Sequence, residues 1–103
     1  MDQIERITYY ENLLNEATAV LKEFDKAFDA YIEIQNKISE LDVYYASPEW
    51  KEDFEASEKG DLPKDLPCGV LSEDGIDHVL GDNLQLFAQC KRIDDVVKEH
   101  LNL

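Results

Sequence analysis

Glycine and proline are scarce in this chain of 103 residues, with four and three copies, and neither occurs from Asp2 to Ala46. Both residues interrupt helices, glycine through its backbone freedom and proline through its missing N–H group. The first part of the chain therefore lacks the strong signals that end a helix. It predicts one long helix over about residues 2–46.

Long apolar runs and positive charge are also lacking. No stretch approaches the roughly 20 apolar residues that span a bilayer, and the start, MDQIERITYY, has no basic segment before an apolar one. These features predict a cytoplasmic protein without membrane contact. Ten basic residues stand against 24 acidic ones, for a net charge of −14. Nucleic acids and anionic lipids need a cationic surface, so we expect no direct nucleic-acid binding, whereas a basic protein partner or simple solubility fits the charge.

Residues that could bind a metal or take part in catalysis are few, and their spacing does not suit a common site. Cys68, His78, Cys90 and His100 offer four zinc ligands, but His78 and Cys90 lie ~18 Å apart along one helix, and zinc holds its ligands within ~2.3 Å. A disulfide between the two cysteines fails for the same reason of distance. We expect Cys90 to be a small core residue and Cys68 a loop thiol. With no phosphate-binding glycine loop and no Ser/His/Asp arrangement, the sequence predicts no metal, no cofactor and no enzyme.

The chain is instead rich in helical periodicity. Apolar residues recur every three or four positions through residues 7–45 and again through residues 76–101, which indicates two amphipathic helices. The first stripe is broken at Gln35 and Asp42, where Ile34 and Leu41 move it one position back. Ser72 is a suitable N-cap for the second helix, over about residues 73–101. Gly81 within it marks either a close helix contact or a weak point. The first stripe is Ile7, Tyr10, Leu14, Ala17, Leu21, Phe24, Phe28, Tyr31, Ile38 and Tyr45, and the second is Ile76, Val79, Leu80, Leu84, Phe87, Cys90, Ile93, Val97 and Leu101.

The middle of the chain holds all three prolines and the only tryptophan. Ser47 followed by Pro48 predicts a short helix from Pro48 to about Lys59 that stops at Gly60. The segment 60–71 is a proline-rich loop. Trp50 and Phe54 are four residues apart, so both lie on one face of this short helix. We expect a clasp that packs on the long helices through Trp50, Phe54, Leu62, Leu66, Val70 and Leu71.

The predicted fold is a single all-α domain, residues 1–103, with two long antiparallel helices in a coiled-coil-like hairpin or small bundle. The first helix would be ~65 Å long and the second ~43 Å, so their lengths do not match. Either the first helix breaks near Gln35 and makes a three-helix bundle, or it stays long and a second copy covers its exposed end. We favour the long helix in a homodimer.

The linker also carries a resemblance. The run YYASPEWKEDFEASEKGDLPKDLPCGVLSEDGI, residues 44–76, resembles the signature of a bacterial domain-of-unknown-function (DUF) family of short acidic helical proteins. The shared elements are a tyrosine pair, S-P-E-W, D-F-E, a Leu-Pro step and G-V-L-S-E-D-G-I. Pro67 and Cys68 depart from that signature, which has a more basic pair there. The resemblance implies no activity, cofactor or catalytic residue.

Small secreted helical hairpins with a W-x-G turn are a less favoured alternative. Their length and the tryptophan between two helices fit, but Trp50 is followed by Lys51 and Glu52. The C-terminus, DDVVKEHLNL, lacks a Y-x-x-x-D/E export signal.

Two functional hypotheses remain. The first is a protein–protein interaction module, self-associating, whose possible partner surface contains Trp50, Asp53, Phe54, Glu55 and Asp61. The second is an inhibitor that imitates nucleic acid by presenting carboxylates to a basic DNA- or RNA-binding protein. The mixture of lysines with the acids along every segment speaks against the second.

Overall fold

A computed structural model describes all residues from 1 to 103. It contains three α-helices, α1 (Gln3–Tyr45), α2 (Pro48–Glu58) and α3 (Gly75–Leu101), and a 3-10 turn at Gly69–Leu71 before α3. The chain has no β-strand. The predicted all-α class and the long first helix are confirmed, and α1 has no break at Gln35.

The start of α1 is fixed by Asp2. Its carboxylate oxygen accepts a hydrogen bond from the Glu5 backbone N–H at 2.8 Å, and its carbonyl accepts one from Arg6. Such a cap satisfies backbone donors that have no partner inside the helix. Since the next 43 residues contain no helix breaker, α1 continues to Tyr45.

Ser47 joins the end of α1 to the start of α2. Its hydroxyl donates to the Tyr44 carbonyl at 2.6 Å and accepts from the Trp50 N–H at 3.3 Å. Pro48 occupies the first helical position, where its missing N–H costs nothing. One serine therefore caps both helices at the corner, as the Ser-Pro step predicts for α2.

Gly60 ends α2, as predicted. Its φ of 75° lies in the left-handed region, which favours glycine. Gly60 N–H donates to the Ser57 carbonyl and Asp61 N–H donates to the Ala56 carbonyl. This pair of bonds is the Schellman arrangement that satisfies the last carbonyls of a helix.

The start of α3 differs slightly from the sequence prediction. The helix begins at Gly75, and Asp74 occupies the N-cap position without a side-chain bond. Ser72 still serves this end, because its hydroxyl accepts from Gly75 N–H at 3.0 Å and donates to the Gly69 carbonyl at 2.7 Å. The shift arises because residues 69–71 form the 3-10 turn and place Ser72 three residues before the first residue of the helix.

The chain divides into two compact units, Met1–Asn36 and Lys37–Leu103. The first unit is helical from Gln3 onward, and each of its first 30 residues is exposed. The second unit contains the two buried side chains of the protein, Leu71 (7% exposed) and Ile76 (3%). Contacts between its elements join α2 to the 3-10 turn and the 3-10 turn to α3. The predicted antiparallel packing of the long helices is not among these contacts and stays a prediction.

Three side-chain environments differ from the sequence prediction. Cys90 lies on the apolar stripe of α3 but is exposed rather than part of a core, and its thiol donates to the Leu86 carbonyl. Leu66 and Val70 of the predicted clasp are also exposed. Leu62 is half-buried and Leu71 is buried, so the clasp packs through these two residues and the α2 aromatics. Periodicity identifies an apolar face but not the element that covers it.

Two glycines of α3 should respond in opposite ways to alanine. A Cβ atom at Gly81 would meet no side chain and no other element within 4 Å, whereas one at Gly75 would collide with the Gly69 carbonyl oxygen. We expect Gly81→Ala to raise the free energy of unfolding by about 0.5–1 kcal/mol through helix propensity. Gly75→Ala should lower it, because the rigid backbone of the 3-10 turn must move. Urea unfolding at one fixed protein concentration measures both, and a stabilised Gly75→Ala would contradict the close approach.

None of the three helices combines the length and hydropathy that a bilayer crossing requires.

Candidate functional site

Three aromatic rings meet where α1 gives way to α2. The Trp50 ring stacks on Phe54 with centroids 5.2 Å apart and planes at 14°. Tyr45 meets the same indole edge-on, with centroids 4.9 Å apart and planes at 85°. Both geometries are favourable for aromatic pairs. We call Tyr45, Trp50 and Phe54 the aromatic corner; all three are half-buried.

The aromatic corner is tied to the segment before α3 by one hydrogen bond. The Trp50 indole N–H donates to the Val70 carbonyl at 3.0 Å, across 20 residues of sequence. Val70 lies in the 3-10 turn, and the last residue of that turn, Leu71, is buried. The aromatic corner therefore holds α2 against the 3-10 turn, and the 3-10 turn contacts α3.

A second side-chain bond links α1 to α2. The Tyr44 hydroxyl donates to a carboxylate oxygen of Asp53 at 2.6 Å. This bond, followed by burial and by the charges of Asp53 and Glu49, raises the pKa of Tyr44 from 10.0 to about 12. Folding therefore favours the neutral phenol. The resulting stabilisation is present below pH 10 and is lost as the pH rises from about 10 to about 12.

The raised pKa of Tyr44 gives a testable difference among the five tyrosines of the chain. In an absorbance titration of phenolate, we expect one tyrosine to ionise near pH 12. Asp53→Asn keeps an acceptor but removes the charge, so the pKa of Tyr44 should fall towards 10.0. Glu55→Gln removes the same charge from α2 at a site that does not act on Tyr44 and should leave the late step in place. An unchanged late step in Asp53→Asn would contradict the assignment, with helicity followed to show that the chain stays folded.

The predicted partner surface divides into two groups. Trp50 contacts Tyr45, Phe54 and Val70, so part of the surface of Trp50 and Phe54 is used within the chain. Asp53 binds Tyr44, while Glu55 and Asp61 are exposed. A role of these five residues in binding a partner stays a prediction.

A long uncovered apolar surface lies elsewhere, on the first unit. We call the apolar face of residues 7–28 the α1 stripe. Leu14 is 60% exposed, Leu21 68% and Phe24 53%. The Phe24 and Phe28 rings contact each other with centroids 6.2 Å apart. The members of the α1 stripe are Ile7, Tyr10, Leu14, Ala17, Leu21, Phe24 and Phe28.

The last helix also carries exposed apolar side chains. Phe87 is 70% exposed, and Ile93, Val97 and Leu101 are exposed on the same helix. No group of three or more His, Cys, Asp or Glu side chains is placed to hold a metal ion. What these surfaces can do chemically is bury apolar area against another protein surface.

Sequence reasoning missed Tyr44 and Tyr45 as parts of the site. The pair is visible in the sequence as two adjacent tyrosines at the predicted end of a helix, directly before the Ser-Pro step. Their partners depend on the angle between α1 and α2, which no spacing in the sequence encodes.

The family of the chain follows from a comparison with known proteins. A family model described as "Domain of unknown function (DUF4298)" matches residues 7–93, which include the aromatic corner, the α1 stripe and most of α3. Comparison with curated proteins and with solved structures gave no match. The predicted resemblance to a domain-of-unknown-function family is therefore confirmed. Since the match spans well over half of the chain, the protein belongs to the DUF4298 family of domains of unknown function.

Proposed function

We propose that the protein is a non-catalytic helical interaction module that associates with a second copy of itself. The observation that carries this proposal is the small amount of apolar surface buried within one chain. Hydrophobic residues make up 44% of the chain, but only two side chains are buried.

The accessible surface gives the size of this deficit. The chain exposes 9096 Å², whereas a folded monomer of 11.9 kDa exposes about 5,900 Å². The difference of about 3,100 Å² on one chain is large enough to supply the share of about 1,000–2,500 Å² that each partner contributes to an obligate interface. A second copy supplies a surface of the required kind and size.

The placement of the exposed apolar residues supports the same proposal. They follow a helical period on α1 rather than being scattered singly, which is what distinguishes an interaction face from ordinary surface. Most of the stability of a helix in a protein comes from the packing of its apolar face. A partner that covers the α1 stripe stabilises the helix of the first unit, which has no covered residue in its first 30 positions.

Sedimentation equilibrium of the purified full chain tests this function. We expect a mass near twice 11.9 kDa, and an association that strengthens with salt, because two copies of charge −14 repel each other. A mass of one chain from micromolar to millimolar concentration, at low and high salt, would contradict self-association.

Imitation of nucleic acid is a second candidate, favoured by one observation. Of 24 acidic residues, Asp94 forms an ion pair, with Lys98 at 3.0 Å. Asp2 and Asp53 accept hydrogen bonds within the chain, and the remaining carboxylates are available to a basic partner. Such binding weakens steeply with salt, which is the opposite of the dependence expected for self-association. The sign of the salt effect therefore separates the two functions.

A further inference from the structure

The α1 stripe allows the self-association to be specified in more detail. We propose that a second copy of the chain covers residues 7–28 of α1 in an antiparallel orientation, with the two helices related by a two-fold axis beside Ala17. The proposal rests on the proposed function, because it names the surface and the geometry of the same association.

The α1 stripe has the length and surface that such a pair needs. Residues 7–28 form 21 helical steps, or ~32 Å. A standard interface buries about 800 Å² on each partner. Each member of the stripe larger than alanine is at least about half exposed in the single chain, so this face is uncovered from one end to the other. The outer face of the same helix is polar, with Asn12, Lys26 and Glu33.

The order of side chains along the stripe favours the antiparallel pair. Tyr10 and Phe24 each lie seven residues from Ala17, and Leu14 and Leu21 lie three and four residues from it. A two-fold interface pairs residue i with j and j with i. Antiparallel helices therefore place Tyr10 opposite Phe24 of the second copy and Leu14 opposite Leu21. In a parallel pair, Phe24 and Phe28 would each face the same residue of the second copy at one end of the interface, and Ile7 would face Ile7 at the other end. The layers of contacting side chains would then differ in size along the interface.

Charge favours the same orientation. Residues 1–36 carry eight acidic and three basic residues, while residues 37–103 carry sixteen and seven, a net charge of −9. In an antiparallel pair, the C-terminal ends of the two paired segments lie at opposite ends of the interface, and residues 37–103 of each copy, which carry most of the net charge, follow from those ends. A parallel pair brings these parts side by side, where like charges repel.

Spin-label distances on the full chain test the orientation. Nitroxides are attached one at a time through Ala19→Cys or Glu33→Cys, both on the exposed outer face of α1, in a background of Cys68→Ser and Cys90→Ser. An axis beside Ala17 places the two Ala19 labels ~5 Å apart along the helix and the two Glu33 labels ~46 Å apart. We therefore expect a much longer distance for the Glu33 pair than for the Ala19 pair. A variant without labels checks by sedimentation that the background still associates.

The possible outcomes separate the geometry from the function. Equal distances for the two label pairs would establish a parallel pair and overturn the antiparallel proposal. A two-chain mass with both distances long would place the interface away from the α1 stripe, so the proposal would fail while self-association stood. A single-chain mass without coupling between labels would overturn both.

Discussion

Trp50→Ala is expected to lower the free energy of unfolding by about 2–3 kcal/mol. The substitution removes the stacked contact with Phe54, the edge contact with Tyr45 and the hydrogen bond to Val70. A fully buried tryptophan costs about 3–5 kcal/mol on truncation, and the half-buried position of Trp50 reduces that value. For a chain of this length, the melting temperature should fall on the order of 10–20 °C.

A conservative variant separates the ring from its hydrogen bond. Trp50→Phe keeps an aromatic ring for both contacts but removes the indole N–H, so we expect a loss of about 1 kcal/mol. Thermal unfolding followed by helicity at 222 nm measures each variant, at one protein concentration because association shifts the midpoint. An unchanged midpoint for Trp50→Ala would show that the corner does not stabilise the chain and would return Trp50 to the predicted partner surface.

The helices were accessible to sequence reasoning because their ends depend on neighbours in the chain. Ser47 and Pro48 begin α2, and Gly60 ends it through a left-handed φ that glycine adopts freely. The start of α3 is misplaced by two residues because Ser72 caps it from one turn further back, through the 3-10 turn. Three residues of 3-10 helix have no periodicity that a sequence pattern could reveal.

The candidate site was only partly accessible. The spacing of Trp50 and Phe54 places both on one face of α2, and their stacking follows from it. The bond between Tyr44 and Asp53 joins two helices at an angle, so no repeat distance predicts it. The sequence also does not show which apolar residues are exposed to solvent, since Cys90 shares the apolar period of α3 and is nevertheless exposed. Periodicity shows that a face is apolar, and only the packing shows whether the same chain covers it.

Phe24→Glu is expected to weaken self-association at least about a hundredfold. Because the proposed pair is two-fold symmetric, each substitution removes two phenylalanine side chains from one interface, each contributing about 1.5–3 kcal/mol when buried. The pair must then either bury two glutamates or separate its helices to expose them. Burying a charge without a partner costs free energy. Sedimentation equilibrium should report a single-chain mass at concentrations where the unaltered protein is paired.

Ala19→Glu is the matched control, because it adds the same charge on the outer face of α1, about half a turn from the α1 stripe, and should leave the pair intact. Loss of the partner has a second consequence for Phe24→Glu, since packing of the apolar face supplies most of the stability of a helix. Helicity should therefore fall through loss of the first unit. The emission of Trp50, the only tryptophan, should stay unchanged because the aromatic corner lies entirely in the second unit. A paired Phe24→Glu protein, or an equal effect of Ala19→Glu, would contradict an interface on the α1 stripe. A change in Trp50 emission would show instead that the substitution perturbs the fold beyond residues 1–36.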